Sequence, residues 1–327
     1  MPAVYAAIDL GGSHFTAAIG DAAGNMLAER RFETRSHEGP AIVLDRLAAS
    51  IRELSREVGA DPSALGLCVP GLVDIVQGIT KFLPNMPTQW RDVAVRSSLE
   101  TVLNIPVTLL NDARAATLGE REFGLGRSEG TFLLFTLGTG VGGGVVIDGR
   151  LRLGPLGAAG ELGHIQVSSD GPLCSCGGSG CAETFASGPA LVAEGVRVMT
   201  NGNASRLRTL ANGTLAAITP ELMGTAARSG DAATLAIIER AGRYLGIAAA
   251  GVVGSIHPGL IVLAGGVSGL ADLLIPPMRA AIAERVRMFP VNDLRIERSS
   301  LGDRAGVLGA LALAIRGPAY LNRPSIP

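Results

Sequence analysis

An apolar strand, a turn made largely of glycine and a second apolar strand occur twice in this chain, and the repetition limits the folds open to it. The first copy runs from Val4 to Leu10, through Gly11-Gly12-Ser13, and resumes from His14 to Gly20. The second starts at Thr131, runs to Leu137, crosses Gly138-Thr139-Gly140-Val141-Gly142-Gly143-Gly144 and returns from Val145 to Asp148. Short apolar runs bounded by glycine read as buried strands. Each copy therefore opens a sheet, and 327 residues suffice for two domains with separate cores.

Between the copies, residues 26–34 read as a third strand and residues 41–59 as an amphipathic helix. Buried strands at 66–70 and 107–110, separated by helix and loop, and a helix at 113–121 complete a βββαβαβα order. Beyond the second copy, helices at 236–255 and 273–286 flank a strand at 260–264, and a helix at 305–315 ends the ordered chain. Residues 316–327, with three prolines, are expected to be a loose tail.

Composition removes several classes of function. Lys plus Arg (28) nearly cancels Asp plus Glu (29), so there is no basic footprint for nucleic acid or an anionic membrane. The sole lysine is Lys81, followed by Phe82. That rules out a Walker A loop, a kinase lysine of the protein-kinase type and Schiff-base chemistry. Phosphate chemistry here must rest on backbone amides, helix dipoles and metal. Residues 1–8 lack the pattern of a secretory signal, and the most apolar window, 245–267, is broken at His257-Pro258-Gly259, so no membrane span is expected. Three of the four cysteines fall within eight positions, which suits a metal better than a disulfide framework, and the expected compartment is the cytoplasm.

Four constellations carry chemistry. In Asp9-Leu10-Gly11-Gly12-Ser13-His14-Phe15-Thr16, glycines can present backbone N–H groups to a phosphate, and an aspartate at the strand end can hold a hydrated Mg²⁺. An ordinary turn with a capping aspartate accounts for the same residues. The loop at 138–144 holds five glycines, more than a hairpin needs, and can grip a polyphosphate from a second side; a flexible loop serving another purpose is the alternative. A third turn, Gly265-Gly266, follows a buried strand as an adenosine pocket or a plain strand-to-helix turn would. His164, Cys174, Cys176 and Cys181, with nine, one and four residues between them, have the stoichiometry of a closed Cys₃His zinc site, whereas the spacing does not match the Cys-x-x-Cys of a redox pair. Cys68, alone in an apolar strand, reads as a core residue.

Asp112 follows a buried strand and precedes a helix. It can accept a proton from a substrate hydroxyl or cap the helix, and from local sequence alone the cap is favoured. Glu161 and Glu183 flank the cysteine cluster and can bind paired hydroxyls, though each alone reads as a surface residue.

With both glycine loops, Asp112, Ala159-Gly160-Glu161-Leu162-Gly163-His164-Ile165 and Cys174-Ser175-Cys176-Gly177-Gly178-Ser179-Gly180-Cys181-Ala182-Glu183 in this order, the chain resembles the ROK family of sugar kinases over about residues 6–314. The resemblance implies an α/β fold of two actin-like, ribonuclease H-like domains with a ligand cleft between them. Residues 1–113 plus 304–327 would form the smaller one, and residues 114–303 the larger, with the zinc site and adenosine pocket. It implies ATP with Mg²⁺ and a structural Zn²⁺ as cofactors, no nucleic acid or membrane partner, and a homo-oligomer, dimer or tetramer. The phosphate loops would be Asp9, Gly11, Gly12, Ser13 and Thr16 with Gly138, Thr139 and Gly140, and Gly265 and Gly266 would line the adenosine site. Asp112 would be the catalytic base. Gly71, Asn85, Asn111, Glu161, His164 and Glu183 would meet the sugar, His164 also serving the zinc.

Two departures bear on the substrate. Family members often carry Asn-Asp-Ala-Asn where this chain has Asn111-Asp112-Ala113-Arg114, and Asn-Leu-Pro-Gly-Trp where it has Asn85-Met86-Pro87-Thr88-Gln89-Trp90. Glucose leads, with N-acetylmannosamine, fructose, allose or an amino sugar as alternatives. The family also contains repressors that carry a helix-turn-helix ahead of the first phosphate loop; the eight residues before Asp9 are expected to leave no room for one. A sugar-binding regulatory protein without kinase activity is the rival from another class.

Overall fold

The computed structural model describes residues 3–83, 86 and 90–321. They divide into two compact units: Met1–Ser128 with Gly149–Gly160 and Asp303–Pro327, and Glu129–Asp148 with Glu161–Gly302. This division departs from the boundary expected between residues 113 and 114, which would cut a continuous helix.

In the first unit, β1 (Val4–Leu10), β2 (His14–Asp21) and β3 (Met26–Glu33) form an antiparallel ribbon, followed by helix α1 (Pro40–Val58). Strand β4 (Leu65–Val69) is buried along its whole length because it lies between β1 and β7 (Val107–Asn111), parallel to both. The sheet order is β3-β2-β1-β4-β7. A hairpin of β5 (Leu72–Asp74) and β6 (Ile79–Phe82), then helix α2 (Val95–Leu103), interrupt the path from β4 to β7. Helix α3 (Asp112–Phe123) leaves β7 without a connecting residue.

The buried helix Ala305–Arg316 packs on this sheet and on α3. The approach is so close that a Cβ at Gly66 would lie 1.9 Å from the Ala310 carbonyl oxygen, and one at Gly309 would lie 1.9 Å from that of Ala115. Only glycine fits there. After this helix the expected loose tail is partly ordered: Pro318–Leu321 is a short helix, and the Tyr320 hydroxyl accepts the Leu151 amide at 3.3 Å.

The second unit repeats the plan. Strand β8 (Phe132–Leu137) pairs antiparallel with β9 (Val141–Ile147), and β8 is followed in the sheet by strand Leu260–Ala264 and then Arg295–Arg298, both parallel. Helices Pro220–Arg228, Ala232–Ile256 and Ala271–Arg285 supply much of its apolar core, with Met223, Leu245 and Leu274 beside Leu133 and Phe135 of β8. The glycine loop is shorter than expected. Gly142, Gly143 and Gly144 belong to β9, where Gly143 leaves room for the buried Leu162 side chain; a Cβ would come within 2.6 Å of it. Among the described residues no helix is long and apolar enough to cross a membrane.

Candidate active site and metal cluster

Parallel register brings the first unit's polar residues to one edge. Asp9 sits opposite Cys68, and Val69 opposite Asn111, so the ends of β1, β4 and β7 converge where open α/β sheets place their ligands. Asp9 also faces Thr16 directly across β1 and β2. The turn between them is closed by the Gly11 amide on the His14 carbonyl at 2.9 Å, and Thr34 donates its hydroxyl to the Gly11 carbonyl at 2.7 Å. Burial, and then the charge of Asp112, push the Asp9 carboxyl from 3.8 up to about 7. Two acids in one another's field favour a cation, so this edge suits a hydrated Mg²⁺.

Asn111, not Asp112, caps α3: its side-chain oxygen accepts from the Ala113 and Arg114 amides. Asp112, exposed in the first helical turn, also accepts the Ala113 amide on its Oδ1, at 2.8 Å. A negative charge at the amino end of a helix is favourable. The Asn111 Nδ2 donates to Asp112 Oδ1 and to the Gly71 carbonyl, both at 2.9 Å. Gly71, at φ 78°, thus belongs with the Asn111–Asp112 pair. Arg114 lies wholly buried beside them. Asn85 lies outside the described residues. Cys68 is buried core, its Sγ 3.5 Å from the Gly306 carbonyl.

In the second unit the Gly138 amide meets the Gly140 carbonyl at 2.9 Å, leaving Thr139 exposed at the tip of a tight turn. Gly265, the turn after strand Leu260–Ala264, lies against the end of β8, its φ of 82° suited to glycine. Gly266 starts a single 3₁₀ segment, Gly266–Leu270, ahead of the helix. Glu183 opens a short helix, Glu183–Ala186. Its Oε2 accepts the Val141 amide at 2.9 Å, and its Oε1 accepts from Ser175 Oγ at 3.3 Å and from Cys174 Sγ at 3.7 Å. The role of Ser175 in holding Glu183 is invisible in sequence, because only the fold brings the two together.

His164, Cys174, Cys176 and Cys181 offer ligand atoms that all lie within 4.8 Å of one another. Cys176 Sγ is 3.7 Å from Cys181 Sγ, and Cys174 Sγ is 3.5 Å from His164 Nδ1. Tetrahedral zinc with ordinary bond lengths separates sulfurs by about 3.8 Å and sulfur from nitrogen by about 3.6 Å. The donor set therefore fits the metal. Burial pushes the Cys181 thiol up to about 12 and raises that of Cys174, while the Gly178 amide lowers that of Cys176. A divalent cation is what would make all three thiolates. With Nδ1 turned to the sulfurs, His164 Nε2 lies 3.9 Å from Glu161 Oε2 and stays available to a ligand.

A sequence model of the ROK family matches residues 5–317. The chain belongs to the ROK family. It is 34% identical to a glucokinase of Thermotoga maritima over 309 residues, covering 94% of this chain and 95% of the relative. A solved ROK family glucokinase from Streptomyces griseus, in complex with glucose and AMPPNP, superposes with a TM-score of 0.83 at 32% identity, over 96% of this chain and all of that one. The xylose repressor of Bacillus subtilis is 30% identical over 311 residues, 94% of this chain and 76% of the repressor. The expected α/β class and its repeated plan are both borne out.

Proposed function

We propose that this protein is an ATP-dependent hexose kinase that transfers the γ-phosphoryl group to the 6-hydroxyl of a hexose, glucose first among the candidates. The observation that carries the reading is the Asn111–Asp112 pair: an exposed carboxylate at the end of a buried parallel strand, oriented by the Asn111 side-chain amide at 2.9 Å and the Ala113 backbone amide at 2.8 Å. The glucokinase relatives, one of them solved with glucose and AMPPNP, support it.

In this scheme Asp112 accepts the 6-hydroxyl proton while that oxygen bonds to the γ-phosphorus and the bond to the β-phosphate oxygen breaks, releasing ADP. Phosphoryl transfer through a loose transition state demands placement and charge stabilisation rather than covalent help, which suits a chain whose sole lysine is Lys81. Backbone amides at Gly12, Ser13, Thr139 and Gly140 are the proposed phosphate donors, in turns that Gly11 and Gly138 close with their own amides, with Thr16 beside Asp9, and Gly265 and Gly266 at the adenosine. When bound, Mg²⁺ would neutralise charge on the phosphate oxygens, with Asp9 as its carboxylate partner. Zn²⁺ on His164, Cys174, Cys176 and Cys181 would fix the loop that carries Glu183. Gly71, Asn85, Asn111, Glu161, His164 and Glu183 are the proposed sugar contacts. N-acetylmannosamine, fructose, allose or an amino sugar remain alternatives to glucose. We assign the protein to the cytoplasm and to a homo-oligomer on family grounds.

The repressor match makes a non-catalytic sugar sensor the second reading. A coupled ADP-release screen over a panel of hexoses separates the two. Turnover that requires a sugar is expected; sugar binding without ADP release would establish the sensor.

A further inference from the structure

Arg114 occupies the third position of α3, in the first turn, where a helix's positive end makes a cation unfavourable, and it is 1% exposed. A buried guanidinium persists only where its donors are well matched. Here Nε donates to the Ala159 carbonyl at 2.9 Å, Nη2 to the Ala158 carbonyl at 2.8 Å, and Nη1 to Asn111 Oδ1 at 3.1 Å. One planar fork thus joins two backbone carbonyls to the side chain that orients Asp112.

We propose that Arg114 is a positioning residue for phosphoryl transfer, acting on Asp112 through the Asn111 amide and anchoring the segment that leads to Glu161. The claim rests on the reading of Asp112 as the base. An asparagine amide is nearly symmetric in shape, and its donor end must face Asp112 Oδ1 and the Gly71 carbonyl for the carboxylate to be held. The Ala113 and Arg114 amides already favour that orientation at 3.1 and 3.3 Å. Arg114 adds a charged donor to the same oxygen, which polarises the amide and strengthens its other hydrogen bonds. The second half of the fork holds Ala158 and Ala159, directly before Gly160 at φ 92° and Glu161, a proposed sugar ligand. Lysine cannot replace this. An ammonium is a point donor and cannot serve two carbonyls and an amide in one plane.

The test uses the full-length protein and its Arg114→Lys, Arg114→Met and Asn111→Ala variants. Arg114→Lys, which keeps the charge and part of the contacts, is expected to melt lower than wild type but higher than Arg114→Met, and to lose about tenfold or more in kcat with the KM for ATP within about twofold. Arg114→Met, which strands buried carbonyls, is expected to lose thermal stability as well. Combining Arg114→Lys with Asn111→Ala should cost clearly less than the two single losses together, because both remove the one Arg114–Asn111 contact, while the Ala158 and Ala159 carbonyls account for the remainder. Unchanged kcat and sugar KM in Arg114→Lys, or fully additive losses in the double variant, would overturn the role. NMR of selectively ¹⁵N-labelled asparagine gives an answer independent of turnover: the Asn111 side-chain amide should shift and exchange faster with solvent in Arg114→Lys, and an unchanged signal would refute the contact. Wild-type protein inactive on every hexose would remove the kinase reading, while the NMR arm would still judge the Arg114–Asn111 link.

Discussion

Glu183 accepts the backbone amide of Val141 at 2.9 Å, so the carboxylate beside the cysteine cluster is tied to the first residue after the Gly138–Gly140 turn. The proposed phosphate turn and the proposed zinc loop of the second unit are thereby one assembly, with Ser175 holding the other carboxylate oxygen.

That link makes Gly140 sensitive to a single methyl group. A Cβ there would lie 2.4 Å from Glu183 Oε2, a clash that the flexible carboxylate relieves by moving. Gly140→Ala is therefore expected to melt within about 3 °C of wild type while its kcat/KM for sugar falls about tenfold or more. Equal kinetics in the variant would show that Glu183 does not need its observed position.

Asp112→Asn keeps shape and removes basicity. Sugar phosphorylation is expected to fall by about a thousandfold or more, with sugar and ATP binding by calorimetry within about tenfold of wild type. Near-normal single-turnover rates would leave Asp112 without a catalytic task, since Asn111 already caps the helix.

Protein purified under reducing conditions is expected to contain one zinc per chain. Structural zinc in small peptides is worth on the order of 10 kcal/mol of apparent binding, so Cys176→Ser should lower both metal content and Tm clearly. Elemental analysis finding no zinc in fully reduced wild-type protein would remove the site.

The sequence disclosed the repeated strand-turn-strand plan and the metal cluster because both are written in local spacing: nine, one and four residues between ligands, and apolar runs ending in glycine. Local sequence misled at two places. Asn111 and Asp112 are both good capping residues, and only the structure shows that Asn111 takes the Ala113 and Arg114 amides while Asp112 shares that of Ala113. Gly142 to Gly144 look like loop, yet they lie in β9, where Gly143 makes room for Leu162, a residue nineteen positions later. The Arg114 fork and the Ser175–Glu183 contact join residues through space and leave no periodic trace.

Asp9 gives a pH dependence with a definite sign. Its carboxyl ionises near 3.8 when unfolded and at about 7 when folded, so between those values the folded state holds the proton and the unfolded state does not. Its contribution to stability is full below about 3.8 and is lost as the pH rises to about 7. Asp9→Asn is expected to melt close to wild type near pH 4 and about 2–6 °C higher at pH 8 without added nucleotide or Mg²⁺. A gap that does not change with pH would mean that Asp9 ionises normally.

The position of the transferred phosphate tests the kinase account most directly. If Asp112 is the base for a primary hydroxyl, phosphorus-coupled NMR of the product should place the phosphate on C6, and the 6-deoxy form of the preferred hexose should give no ADP above the sugar-free rate. Phosphate on the anomeric oxygen, or turnover of the 6-deoxy sugar at the rate of its parent, would contradict the account.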